Sequence, residues 1–299
     1  GFDHYSVFDH GHGRAGVTVD EVLDWLSVNK TNPNPKLVVI HLFDVHAPYD
    51  PPAPYDTRFA VNGSQGETDW ITDSLGVLQN PDAASHLIDL YDGEISWVDA
   101  QLGRLFSELR AAGIADNAYI ILTSDHGEEF LEHGKWSHGH SLYQELLHVP
   151  LIISGPGIAP GVIDSTSCAH FDILPVIAGF AGVPVPEGVE GIDLFSQRSP
   201  DRLIPSSGVI PGHSCFGDSE EFQSMCSVFN GTEIGIINFY TMHEQFFDLV
   251  ADPGEQNRLP LSTDFLLELE YYWSTPPVGH PHAVDGTVVE DDLSDLGYI

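Results

Sequence analysis

Positive charge is what this sequence has least of. Lys and Arg together number 10 among 299 residues, against 45 Asp and Glu, for a formal net charge of -35. A surface of that sign repels nucleic acid and anionic membranes, and at low salt it repels itself, so nucleic acid is excluded as a partner. The acids run through the well-patterned segments as well as the ends, and only Lys30, Lys36 and Lys135 represent lysine. A dispersed acid excess of this kind is expected in a high-salt organism, where counterions screen the repulsion. Cysteine is scarce too. Cys168, Cys215 and Cys226 have no CxxC spacing, which excludes a disulfide framework and a zinc knuckle and allows at most one pair, Cys215 with Cys226 being nearest in sequence. No run of eighteen apolar residues is present, so no transmembrane segment is expected. The chain opens on Gly1 rather than Met, so a signal peptide would lie upstream, and both a cytoplasmic and an exported protein stay open.

What is present is a large α/β pattern centred on Ala118 to Ser154. The run AYIILTS is β-branched and apolar throughout, as expected for a strand buried on both faces of a parallel sheet. It stops at DHGEE, passes through HGKWSHGHSLYQE and re-enters VPLIIS. Open α/β sheets place their ligand site just beyond the carboxyl ends of strands, which is where Asp125 and His126 fall, with Gly127 allowing a tight path behind them. Asp125, His126, Glu128, Glu129, Glu132, His133, Lys135, His138 and His140 crowd into one stretch. That is a concentration of metal-ligand and proton-transfer side chains.

Upstream, GFDHYSVFDHGHGRAG reads as loop, and its histidines His4, His10 and His12 as solvent-facing or substrate-adjacent. Thr18 is placed to cap a helix carrying Val19, Val22, Leu23 and Leu26 on one face, ended by TNPNPK. Leu37 to Phe43, LVVIHLF, predicts a second buried strand, and it too ends in a polar turn, DVHAPYDPP, that carries His46. Arg58 to Ser85 reads as an excursion covering the edge of the site. Ile88, Tyr91, Ile95, Val98, Leu102, Leu105 and Leu109 alternate at intervals of three and four, a long amphipathic helix closed by Gly113. Helix followed by strand is the unit of a doubly wound sheet.

Beyond GPGIAPG, Asp172 is placed to cap a short helix, DILPVIAGFAG, with Pro175 in its first turn. After Leu194 the texture changes to SMCSVFN, EIGIINFY and QFFDLV, spaced like an antiparallel meander. Phe265 to Trp273 reads as a last helix, and the tail from Val284 as solvated. The expected fold is α/β, with a mostly parallel central sheet flanked by helices over residues 1–195 and a smaller antiparallel subdomain over residues 196–299.

In this order the chain resembles the sulfatase family, within the alkaline-phosphatase-like superfamily. The likeness is carried by FDVHAPYDPP (Phe43 to Pro52), YDGEISWVDAQLGRL (Tyr91 to Leu105), TSDHGEEFLEHG (Thr123 to Gly134), SHGHSLYQELLHVPLIISGPG (Ser137 to Gly157) and FFDLVADPGEQNRL (Phe246 to Leu259). The resemblance implies a divalent cation held in part by Asp125 and His126, usually calcium, with magnesium, manganese or zinc also admitted by this donor set. It implies that His46 contacts the sulfuryl group and protonates the leaving oxygen. It places a cationic side chain against the anionic group, His138 first, then Lys135, then His140. The implied substrate is a sulfated small molecule or glycan.

The family's C/S-x-P-x-R motif, whose first residue becomes the formylglycine nucleophile, has no match at the cysteines, which are followed by AHFD, FGDS and SVFN. No aspartate pair ends an apolar strand upstream of His46. The expectation is therefore a chain holding the second half of a site, with the nucleophile on a missing N-terminal segment. A phosphate or phosphonate ester hydrolase or phosphotransferase on the same scaffold is the competing reading, favoured by His126 where relatives also carry Asn. A catalytically inactive fragment or binding module is the third.

Overall fold

The computed structural model describes residues 2–6, 14–60, 81–196, 198–199, 202–210, 223–238, 243–260, 265–267, 269 and 271. His10, His12, Cys215, most of the excursion between Arg58 and Ser85, and the tail from Val284 lie outside the described residues. The chain divides into two compact units. One comprises Gly1–Leu122, Glu129–Ser137 and Leu151–Pro160, the other Thr123–Glu128, His138–Pro150 and Gly161–Ile299.

In the first unit, helix α1 spans Ala15–Val28, so that Thr18, the predicted cap, lies inside it. The reason is tertiary. The Ala15 amide, an orphan donor of the first turn, finds Asp44 Oδ1 at 2.9 Å, so a distant carboxylate caps the helix. Val19 is fully buried among Leu105 and Leu109, with Val22, Leu23 and Leu26 packed around them. Helix α2, Pro81–Ala111, runs for 31 residues and starts on a proline, whose missing N–H is tolerated there. Its N-terminal half buries Leu87 and Leu90 against Ala47, Tyr49 and Trp136. The apolar stripe is interrupted midway, where Ile95 is exposed and Glu94 fully buried. The helix closes at Gly113, with φ of 70°, and the Ile114 amide bonds Leu109 O at 2.9 Å.

Strand β1, Ile120–Thr123, pairs with β4, Leu151–Ser154, in a two-stranded sheet. Between them, β2, Glu129–Phe130, and β3, Trp136–Ser137, form a short antiparallel pair. Burial of AYIILTS on both faces is not what the structure shows, since Ile120, Ile121 and Leu122 are only half-buried and Tyr119 and Thr123 are exposed. The strand expected at Leu37 to Phe43 is absent as well. A strand exists only through hydrogen bonds to a neighbour, no strand pairs with this segment among the described residues, and Leu37, Val38 and Val39 are exposed.

The second unit contains α3, Gln144–Leu147, and α4, Ile173–Ala181. Its four-stranded antiparallel sheet runs in the order β5, Ile204–Ile210; β6, Gln223–Phe229; β7, Glu233–Asn238; β8, His243–Asp248. The last three are the predicted meander, and β5 is an addition to it. The sheet is apolar on both faces. Cys226, Val228, Ile237 and Phe246 pack with Phe265 and Leu269, and Met225, Ile234, Ile236 and Phe247 with Leu142. Period-two alternation thus becomes a continuous apolar run, each such side chain contributing about 1.5–3 kcal/mol on burial. Cys226 is a free thiol, pushed up to about 11 by burial.

Asp172 occupies the N-cap of α4 but makes no capping bond to it. Its buried carboxylate accepts instead from Ala169 N, Ile192 N and both terminal nitrogens of Arg202, at 2.7–2.9 Å. Four charge-assisted bonds satisfy the carboxylate completely. No helix among the described residues is long and apolar enough to cross a membrane.

Candidate active site

Asp125 and His126 follow β1 directly. The turn they make depends on Gly127: its amide bonds Leu146 O at 2.9 Å, and a Cβ there would lie 1.9 Å from Glu145 O. Only a glycine lets the α3 backbone approach so closely. Ser124 Oγ donates to His126 O at 2.9 Å, and His170 Nε2 donates to Ser124 O at 2.8 Å. The loop is thereby held from both sides.

His126 Nδ1 donates to Gly127 O at 2.8 Å, which fixes its tautomer. Its Nε2 is 3.9 Å from Asp125 Oδ1, so an imidazole lone pair and a carboxylate stand side by side, the carboxylate exposed and the ring half-buried. That donor pair fits two ligands of a divalent cation. Among the described residues no group of three or more His, Cys, Asp or Glu is gathered in metal-binding geometry.

His138 packs on this pair. Its ring centroid is 4.0 Å from that of His126, tilted by 33°, and its Nδ1 donates to the buried Glu128 Oε1 at 2.8 Å. A left-handed backbone sets up this approach, with φ of 76° at Ser137 and 80° at Gly139 on either side of His138. Ser137 holds that conformation at a cost of about 1–2 kcal/mol. His140 is half-buried just beyond.

The remaining predicted residues belong to the first unit. His46 is half-buried, stacks on Phe43 at 4.6 Å and donates from Nδ1 to Ala47 O at 2.6 Å. The peptide bond that follows, Ala47–Pro48, is cis. Lys135 is exposed on the turn between β2 and β3. That turn is built around Glu129, fully buried, whose Oε1 accepts the amides of His133 and Lys135 at 3.1 and 2.7 Å.

The structure therefore brings Asp125, His126 and His138 together and carries His46 and Lys135 in the other unit. Two residues join the site that the sequence did not single out for a role. Glu128 was visible in DHGEE only as one acid among several, and His170, in AHFD, had no signal at all.

Comparison with known proteins follows the same lines. The fold is shared with a phosphonate monoester hydrolase from Silicibacter pomeroyi, with a TM-score of 0.65 at 20% identity over 88% of this chain and 60% of that one. It is shared also with a protein solved in complex with its substrate D-glucosamine-2-N,6-O-disulfate, with a TM-score of 0.56 at 23% identity over 65% of this chain and 42% of that one. The family model described as Sulfatase matches residues 10–183, more than half of the sequence, and the chain belongs to the sulfatase family. Arylsulfatase K from Xenopus laevis is 32% identical over 164 residues, which are 52% of this chain and 30% of that protein. The chain thus matches about a third of the length of this relative.

Proposed function

We propose that the protein hydrolyses sulfate esters with the help of a divalent cation, calcium first and magnesium, manganese or zinc as alternatives. The family match supports the reaction class, and the observation that carries the site assignment is the Glu128–His138–His126 cluster beside Asp125. In this reading residues 1–195 belong to an α/β catalytic domain with a parallel central sheet and residues 196–299 to a smaller subdomain. Asp125 and His126 would hold the cation, which would supply positive charge against the anionic ester group.

The chain's own residues supply the rest. His46 keeps its Nδ1 proton on Ala47 O, so as an imidazolium it releases the Nε2 proton to the departing oxygen and returns to one defined neutral tautomer. His138, oriented by Glu128, donates to a sulfuryl oxygen through Nε2, and the Glu128 carboxylate balances the positive charge. Lys135 and His140 add positive charge around the anion. None of the cysteines stands in the nucleophile motif, so the nucleophile is assigned to a residue outside this sequence. The substrate is an aryl ester or a sulfated glycan, in keeping with the names of the proteins it resembles.

Likeness to a phosphonate monoester hydrolase, with His126 among the metal ligands, supports a second reading, a phosphate or phosphonate ester hydrolase. Turnover of paired aryl sulfate and aryl phosphonate substrates by the whole polypeptide with added calcium separates the two. Preference for the sulfate, with kcat lowered in His46→Ala by about 100-fold or more, is expected. Preference for the phosphonate selects the second reading, and turnover unaffected by His46→Ala removes His46 from the mechanism.

A further inference from the structure

Two buried carboxylates beside the His46 loop have no part in the reaction just described. Asp44, two residues before His46, accepts Ala15 N–H and Trp97 Nε1–H through Oδ1, both at 2.9 Å. Glu94 accepts the Asp50 amide through Oε1 at 2.9 Å, just beyond the loop. The second oxygen of each, Asp44 Oδ2 and Glu94 Oε2, is buried without a partner among the described residues. Glu94 and Trp97 are three residues apart on α2, and therefore on one face within a single turn. The loop is thus tied to that turn where it enters, through Asp44, and where it leaves, through Asp50.

Gly93 makes the approach possible. A Cβ there would lie 2.7 Å from Tyr55 O and 2.8 Å from Pro51 Cγ. Between the two ties, Tyr49 is buried and meets Tyr91 edge-on at 5.4 Å.

We propose that Glu94 is a positioning residue for His46, holding the exit of its loop on α2 while Asp44 and Trp97 hold the entrance. This rests on the reading of His46 as the leaving-group acid. An unbonded carboxylate oxygen inside the core disfavours the charged form. Burial pushes Glu94 up to about 8; the Asp50 amide bond opposes the rise, and the charges of Asp44 and Asp50 add to it. Among the described residues no cation contributes to this shift; Arg58 bonds the Ser96 hydroxyl, and Arg104 bonds Asp20 and Gly16 O. On the β2–β3 turn, Glu129 is occupied by the amides of His133 and Lys135. Within the loop itself the titratable side chains are Asp44, His46, Tyr49 and Asp50. At neutral pH Glu94 is a neutral acceptor; once ionised it holds the Asp50 amide more strongly and places a third negative charge beside Asp44 and Asp50, next to the His46 loop.

The test compares Glu94→Gln and Glu94→Ala in the whole polypeptide, with ester kinetics and the imidazole resonance of His46 followed from pH 5 to 10. Glutamine keeps an acceptor for the Asp50 amide and cannot ionise. Expected are a kcat in Glu94→Ala lowered by about tenfold or more with KM little changed and recovery at pH 7 in Glu94→Gln. The wild-type His46 resonance should show a second inflection near the Glu94 titration that disappears in Glu94→Gln. An unmoved His46 resonance in Glu94→Ala, or an inflection that survives in Glu94→Gln, would overturn the proposal. Where Glu94→Ala does not fold, the wild-type and Glu94→Gln titrations still decide it. Absence of ester turnover in the wild type would count against the activity, and the resonance would still decide the role of Glu94.

Discussion

The imidazoles of His126 and His138 lie with centroids 4.0 Å apart, and the two rings are anchored differently. His126 is tied to its own loop through Gly127 O, whereas His138 is tied through Nδ1 to Glu128. One ring thus directs its lone pair beside Asp125, and the other has a carboxylate behind it to balance a proton. In the proposed mechanism the first arrangement suits a metal ligand and the second an anion-binding donor.

That difference predicts the effect of changing Glu128. Glu128→Gln keeps an acceptor for His138 Nδ1 but no charge, and Glu128→Ala removes both. The expected losses in kcat are about tenfold and about 100-fold, respectively, corresponding to about 1.4 and 2.7 kcal/mol. Calcium affinity by calorimetry should stay near the wild-type value, since Asp125 and His126 keep their contacts. A matching loss of calcium binding would show that Glu128 serves the metal instead.

Gly127→Ala is expected to disable the same loop by another route. With a Cβ 1.9 Å from Glu145 O, β1's turn or α3 must move, at a cost of about 1–3 kcal/mol. Chemical denaturation should record the loss, and cation binding at Asp125 and His126 should fall with it. Wild-type stability in this variant would mean that α3 shifts freely.

Glu94 also predicts how stability depends on pH. Its folded-state value of about 8 lies above the ordinary 4.5, so between those limits the folded state binds the proton that the unfolded state has released. Its contribution is complete below the lower limit, falls as pH rises and levels off above about 8. Glu94→Gln should therefore gain on the wild type progressively across this window, by at most about 1.4 kcal/mol per pH unit. Parallel stability curves for the two proteins would show that Glu94 ionises normally.

The net charge of -35 predicts a salt requirement. Raising ionic strength from about 0.1 to 1 M shortens the screening length from about 10 to 3 Å, and the melting temperature should climb steeply over that range in KCl. A melting temperature indifferent to salt would remove the high-salt habitat from the account.

Local pattern made much of this protein legible. The intervals from Ile88 to Leu109 specify a long helix whatever surrounds it, because 3.6-residue periodicity places those side chains on one face. SMCSVFN, EIGIINFY and QFFDLV specify antiparallel strands for the same kind of reason, and the change from AYIILTS to DHGEE marks where a strand gives way to a polar loop. Tertiary structure decided what depends on a partner. Leu37 to Phe43 has strand composition but no paired neighbour among the described residues, and composition supplies no hydrogen bonds. Glu94 sits in a polar-looking stretch of α2 and is buried because the His46 loop covers it. His138 meets Glu128 across ten residues through the left-handed turn at Ser137, and His170 reaches Ser124 from 46 residues away. Chain separation conceals such contacts, since they form only once backbone direction and packing have brought the groups to hydrogen-bond distance.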